Sequence, residues 1–318
     1  MKNSILLFSL LLGLNSCSQN EIDSSENNIS QTNFKTSENL NNADFPIGTN
    51  YSNSAIAIQG AYNQFIQKLR KNDAISIVAQ VDHSKNANSV GLKLDYTRIV
   101  FFGNPTLGTP LMQENQLAGL DLPQKVLFYR TDNKSDILIY NSVSYLRSRH
   151  NLDGVATLDK LSNALENLVS DVSKSPVMES SNQNVEFMEG IITKESKQDF
   201  ETSYATLKNA IVNNPNLSIV AELDHQANAN SVGLDLRPTR LIIFGNPNLG
   251  TPLMQNERTI GLDLPQKMLV WKDQDGNVKV SYNDIYFLAE RHEIEGNKEI
   301  LDKISTALEN LSNAAVGK

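Results

Sequence analysis

FGNPTLGTPLMQ begins at Phe102 and FGNPNLGTPLMQ at Phe244, and the two stretches differ only at Thr106 against Asn248. The same offset of 142 aligns Asp82-His83 with Asp224-His225, Ala87–Leu92 (ANSVGL) with Ala229–Leu234, and Arg98 with Arg240. It also aligns LDLPQK at Leu120 with LDLPQK at Leu262, and Arg149-His150 with Arg291-His292. Past that point LDKLSNALENL at Leu158 meets LDKISTALENL at Leu301, an offset of 143, so one residue has been inserted near Gly296. A unit this long is a duplicated domain and not a solenoid repeat. A chain of 318 residues is long enough for two domains, each with its own core. The repeat boundaries place one domain at 43–172, a linker at 173–184 and a second domain at 185–315.

Two copies let each element be read twice. A first strand is expected near Val185–Thr193, with Asp44–Tyr51 as its weaker counterpart. Phe200, Tyr204, Leu207 and Ile211 recur at helical spacing, whereas Leu217–Leu223 is β-rich and alternates. Arg240–Phe244 is a nearly continuous apolar strand, and Lys267–Lys272 and Val278–Tyr282 flank a hairpin through Asp275-Gly276. Asn283 reads as the N-cap of a helix running to Arg291, and Ile300, Leu301, Ile304, Leu308 and Leu311 line one face of a last helix. The order is β-α-β-β-β-β-α with an extra short helix, an α+β fold in which a sheet packs on helices.

The repeated stretch has a local explanation. Gly103-Asn104-Pro105 stops a strand, because proline cannot extend a ladder and asparagine forms turns. A helix is then expected with Thr109 as N-cap and Pro110 first inside, and with Thr251 and Pro252 in the second copy. A second reading uses the same geometry. A helix N-terminus beside a glycine turn suits an anion, so Gly103, Asn104, Thr109, Gly245, Asn246 and Thr251 become ligand-binding candidates. Arg98, Lys125, Arg240 and Lys267 would add charge if they converge there. The stretch is no P-loop, since it lacks the Gly-Lys-Ser/Thr ending.

All four histidines fall in matched pairs. His83 and His225 follow an aspartate at a strand end, and are candidates either for a strand-end hydrogen bond or for ligand contact. His150 and His292 read as helix C-terminal residues facing the dipole. No His-x-x-x-His pair or nucleophile elbow occurs, so no metal, no cofactor and no catalytic residue is assigned.

The beginning of the chain points to the cell envelope. Lys2 precedes an apolar run from Ile5 to Leu14, too short to span a bilayer but right for a signal peptide. Leu14-Asn15-Ser16-Cys17 resembles the bacterial lipoprotein box, which implies a signal at 1–16, an acylated Cys17 and, from Ser18, the outer membrane over the inner. Cys17 is the sole cysteine, leaving no disulfide and no thiolate catalyst. Residues 17–42 are rich in Asn, Ser and Glu and read as a flexible tether. The net charge of −8 becomes −9 once Lys2 is lost with the signal, and no basic cluster offers a footprint for nucleic acid.

These motifs together resemble the domain of unknown function 302 family. In the second copy the family's positions fall on His225, Gly233, Phe244 through Pro247, Gly250, Thr251 and Asp263 through Pro265. In the first they fall on His83, Gly91, Phe102 through Pro105, Gly108, Thr109 and Asp121 through Pro123, with a departure at Tyr96 against Pro238. The resemblance implies two tandem β-α-β4-α domains in a TATA-box-binding-protein-like arrangement, and implies no activity. The function expected is a lipid-anchored binding module holding a small, anionic or other ligand near His83/Asn104 and His225/Asn246. The two copies would pack as an intramolecular pseudo-dimer. A hydrolase using a repeat histidine as general base, and an assembly lipoprotein recognising another envelope protein, are the alternatives.

Overall fold

The computed structural model describes residues 45–318. The signal, Cys17 and the whole of the tether fall outside these described residues. The first repeat runs β1 (Thr49–Asn53), α1 (Ile58–Arg70), β2 (Ser76–Asp82), α2 (His83–Ser89), β3 (Thr97–Gly103) and α3 (Pro105–Glu114). A 3-10 turn at Gln116–Leu120 follows, then β4 (Gln124–Arg130), β5 (Asp136–Asn141), α4 (Val143–His150) and α5 (Leu158–Ser173). After β6 (Met178–Glu179) the second repeat gives β7 (Ile191–Glu195), α6 (Phe200–Val212), β8 (Ser218–Asp224), α7 (His225–Ser231), β9 (Thr239–Gly245) and α8 (Pro247–Asn256). A 3-10 turn at Arg258–Leu262, β10 (Gln266–Lys272), β11 (Val278–Asn283), α9 (Ile285–Arg291) and α10 (Lys298–Ala315) complete it.

Each repeat thus forms an antiparallel sheet packed on helices, the α+β class read from the sequence. The strand orders are β2-β3-β4-β5-β1-β6 and β7-β11-β10-β9-β8. Residues 173–184 do more than connect, because Met178 and Glu179 pair with Tyr51 and Asn50 as a sixth strand of the first sheet.

Side-chain alternation along the strands sends residues to two different cores. Val100, Phe102, Val126 and Phe128 face α1 and α5, whereas Ile99, Phe101, Leu127 and Tyr129 face the other sheet. Leu241, Ile243 and Leu269 meet them there, so the two sheets lie face to face with helices on the outside. Gly119 and Gly261 allow this close approach: a methyl on Gly261 would sit 3.2 Å from Leu127 Cδ1 and 3.3 Å from Met254 Sδ.

The segment between β2 and β3 was the least readable part of the sequence. It leaves its own repeat: Ala87 and Leu94 are buried in the helix-side core of the second repeat, and Ala229 and Leu236 in that of the first. The ANSVGL stretch builds this exchanged arm. Its alanine is the buried residue, and Gly91, at φ 75°, ends α2 while Leu92 N–H donates to the Ala87 carbonyl.

Two helix starts lie elsewhere than expected. The helix of the repeated stretch begins at Pro105, not Pro110, with Asn104 Oδ1 accepting from the Thr106 N–H at 2.9 Å. Asn246 caps α8 in the same way at 3.0 Å. Asparagine wins the cap because it sits in extended conformation directly before a proline, whose missing N–H costs nothing at the first helical position. Thr109 and Thr251 are buried inside the helices instead. Likewise Asp284, not Asn283, caps α9, because Asn283 is still held in β11.

Candidate functional site

The exchanged arms carry the candidate site. In each arm the aspartate before the short helix caps it, Asp82 accepting from the Lys85 N–H and Asp224 from the Ala227 N–H, both at 2.9 Å. The cap fixes the next residue, His83 or His225, as the first of the helix, and its ring reaches into the opposite repeat. His83 therefore meets Asn246 and not Asn104, and His225 meets Asn104 and not Asn246. The pairing expected within each repeat is crosswise, because the arm that carries the histidine has changed sides.

Two cavities result. The larger, of about 360 Å³, is lined by His83, Asn86 and Ser89 of the first repeat and by Gly245, Asn246, Thr251 and Gln266 of the second, with an apolar wall from β8, α8 and α10. Its counterpart, of about 120 Å³, takes His225 and Asn228 from the second repeat and Gly103, Asn104, Thr109 and Gln124 from the first. A hydrogen bond seen only on the smaller side draws α5 towards α3: Thr157 Oγ1 donates to the Leu107 carbonyl at 3.0 Å. The offset of 143 puts Ile300 at that place in the second repeat.

Three buried polar atoms in each cavity lack partners among the described residues. They are His83 Nε2, Thr251 Oγ1 and Gln266 Nε2 on one side, and His225 Nε2, Thr109 Oγ1 and Gln124 Nε2 on the other. Each of the six side chains is at most 8% exposed. An unmet buried polar group costs about 1–3 kcal/mol, and these six recur at matched places in the two cavities.

Burial lowers both rings to about 4, against the pull of Asp82 and of backbone hydrogen bonds to Gly261 and Leu264 at His83. At His225 the opposing pull comes from a backbone hydrogen bond to Gly119 and from Asp224. Those backbone bonds favour the protonated ring, so carbonyls accept them. With Nε2 unpartnered the donor is Nδ1–H, which leaves a lone pair on Nε2 of the neutral ring.

The four cations expected near the repeated stretch are elsewhere. Arg98 pairs with Asp82 and stacks over Tyr62 and Tyr96, while Arg240 pairs with Asp224 and Glu201 and stacks over Phe200 and Tyr204. Lys125 and Lys267 point between the sheets, since their strand parity is that of Leu127 and Leu269. No Asp, Glu, Lys or Arg side chain lines either cavity.

Lys125 and Lys267 belong to a second, closed constellation that the sequence reading did not assemble. Lys125 Nζ donates to Asp263 Oδ1 at 2.7 Å, and Arg291 and His292 both donate to Asp263 Oδ2, at 2.6 and 2.9 Å. Arg149 and His150 donate to Asp121 Oδ2, each at 2.8 Å. Each arginine then crosses to the other repeat, Arg149 to Asn283 Oδ1 and Arg291 to Asn141 Oδ1. Burial works against both carboxylates, yet Arg149 and His150 hold Asp121 well below its usual range, and Lys125, Arg291 and His292 do the same for Asp263. Burial, with Lys125 beside it, holds Lys267 well below the lysine range. The signal in the sequence was the constant offset of Asp121, Arg149 and His150 to Asp263, Arg291 and His292. His150 and His292 do lie at the C-terminal ends of α4 and α9, and their rings in addition bond a buried carboxylate. Among the described residues no group of three His, Cys, Asp or Glu side chains could hold a metal ion, and no helix is long and apolar enough to cross a membrane.

The chain is 40% identical over 114 residues to the fluoride-specific ion channel FluC 1 of Brucella suis biovar 1 (strain 1330), covering 36% of this chain and 44% of that protein. The fluoride-specific ion channel FluC 1 of Brucella abortus biovar 1 (strain 9-941) matches at the same identity over 42% of its length. The chain thus spans less than half the length of these relatives. A solved structure, the uncharacterized conserved protein DUF302 from Bacillus stearothermophilus, aligns with 40% of this chain and 98% of its own at 16% identity and a TM-score of 0.37. The model of the domain of unknown function DUF302 matches residues 51–168 and again 192–311, so the chain belongs to the DUF302 family, with two copies of its domain.

Proposed function

We propose that this protein is a small-ligand binding module whose sites are built jointly by its two repeats. The observation that carries this reading is the repeated trio of buried, unpartnered polar atoms from histidine, threonine and glutamine in a cavity lined by no charged side chain. The larger cavity falls within the 300–1,000 Å³ or so typical of small-molecule sites. The anion expected from sequence loses its support with the removal of Arg98, Lys125, Arg240 and Lys267 from the site, and a helix end alone supplies only a partial charge. No ion conduction is proposed from the likeness to the Brucella channels.

Native mass spectrometry of the full chain, extracted in detergent from its own envelope, tests the reading. A bound small mass is expected, lost in His83→Ala. A bare chain mass under gentle extraction would count against it.

The place of action we propose is the cell envelope, with acylated Cys17 holding the protein on the outer membrane. The motif around Cys17 and the tether composition support this. Cys17→Ser should release the protein from the membrane fraction, and retention there would refute the anchor.

A further inference from the structure

Resting on the crossed-cavity reading, we infer that the larger cavity takes an uncharged molecule with an apolar body and a hydroxyl-type head group, a donor and an acceptor in one. Two features of the site select this class. The first is the hydrogen-bonding character of the three unmatched atoms. His83 Nε2 offers a lone pair and accepts, Gln266 Nε2 donates, and Thr251 Oγ1 does either. A head group that only accepts leaves His83 unmet, and one that only donates leaves Gln266 unmet. A hydroxyl group offers both roles, with Thr251 free to turn its proton to suit.

The second feature is charge. A carboxylate or phosphate would enter a cavity with no Lys or Arg on its wall, and would face the lone pair of a neutral imidazole. An ammonium would find no carboxylate. Burying either ion without a partner costs more than the few hydrogen bonds on offer return. Beside Asn86, Ser89, Ser218 and Asn246, the wall presents Phe244, Met254, Leu264 and Leu308, which suit an alkyl or aromatic body. The smaller cavity repeats the three polar atoms, but its volume of about 120 Å³ leaves room for little beyond the head group.

The test uses the full chain in detergent and three probes of matched length: 1-octanol, octyl methyl ether and octanoate at pH 8, read by calorimetry. Octanol is expected to bind. The ether, which cannot donate to His83, and octanoate should each bind about tenfold or more weakly. Gln266→Leu and His83→Phe should each weaken octanol by about the same factor, whereas Lys160→Ala and Glu290→Gln, exposed changes outside both cavities, should leave it unchanged. Thermal melts of all four variants show which remain folded, and Gln266→Leu, which removes only a partnerless amide, keeps the test intact if the histidine variant melts early.

Octanoate binding as tightly as octanol, with the loss still confined to the His83 and Gln266 variants, would overturn the uncharged head group but keep the crossed cavity. Equal binding of the ether would do the same. Failure of all three probes, or octanol binding indifferent to His83 and Gln266, would overturn the inference, and the latter would remove the cavity as the site.

Discussion

The molecule contains two sorts of buried polar assembly, made from the same repeated motifs and used in opposite ways. Between the sheets, Asp121 and Asp263 each gather an arginine and a histidine, and the arginines reach an asparagine of the other repeat. In the flanking cavities, the histidine, threonine and glutamine atoms meet nothing. Charge is concentrated between the sheets, where most polar atoms are paired although Asp121 Oδ1, His150 Nδ1 and Asn141 Nδ2 are not, and it is absent from the cavities. The difference separates residues that hold the halves together from residues left for something else, although both sets recur at the same offset. Repetition alone marks a residue as constrained, and burial with or without partners says by what.

The sharpest way to break the comparison is to empty the closed assembly. Asp263→Ala leaves Lys125, Arg291 and His292 buried without their acceptor, and should cost about 3–5 kcal/mol in chemical denaturation. A loss below about 1 kcal/mol would mean that water reaches the cluster and that it is not closed.

Acid should act next in order of size. His83 and His225 titrate near 4 when folded and near 6.5 when unfolded. Between those values the unfolded chain binds protons that the folded chain refuses, so stability is full above about pH 6.5 and falls as pH drops towards 4. The loss is on the order of 3 kcal/mol per ring, and Asp121 and Asp263, whose folded values are lowered, extend the decline below that range. Denaturation midpoints from pH 7.5 to 4 should show the fall, and a His83→Phe, His225→Phe protein should have a shallower slope between 6.5 and 4, the remainder coming from His150 and His292, which burial also lowers.

Gly261→Ala should be smaller, about 1–3 kcal/mol, since the added methyl presses on Leu127 across the sheet interface and on Met254 of its own repeat. Calorimetric melting would register it, and an unchanged melt would show that the sheets can slide apart freely.

The smallest expected change has the opposite sign. Gln266→Leu removes an unmatched buried amide and should be neutral or stabilising by up to about 1 kcal/mol. A clear destabilisation by the same assay would mean that Gln266 has a structural partner, which would erase the distinction between the two assemblies.

Much of the fold was legible because strand and helix periodicities are local. Phe200, Tyr204, Leu207 and Ile211 declared α6, and the Asp275-Gly276 turn declared the β10–β11 hairpin. The short helices α2 and α7 were missed because HSKNANS and HQANANS carry little apolar periodicity, and their one buried alanine packs on a distant part of the chain. The site was half legible. His83, Asn104, Thr109, Gly103 and their counterparts do line cavities, but assignment of each histidine to its own repeat failed, since nothing within one repeat reveals that an arm will cross. Gln124 and Gln266 went unnoticed between the Pro and Lys of LDLPQK. The anion reading failed on side-chain direction: strand parity turned Lys125 and Lys267 inward, and Arg98 and Arg240 found carboxylates beside them.

The crossing of the arms also changes what kind of object the duplication produced. Two beads on a string can be lost, shuffled or inherited singly, but a clasp has no meaningful half. Each copy completes the other's hydrophobic interior with Ala87 and Leu94 in one direction and Ala229 and Leu236 in the other. Because covalent linkage ends the requirement that both halves be identical, one mouth of the clasp is free to drift narrower while the other keeps its breadth, a freedom that two identical separate chains closing the same clasp would not have.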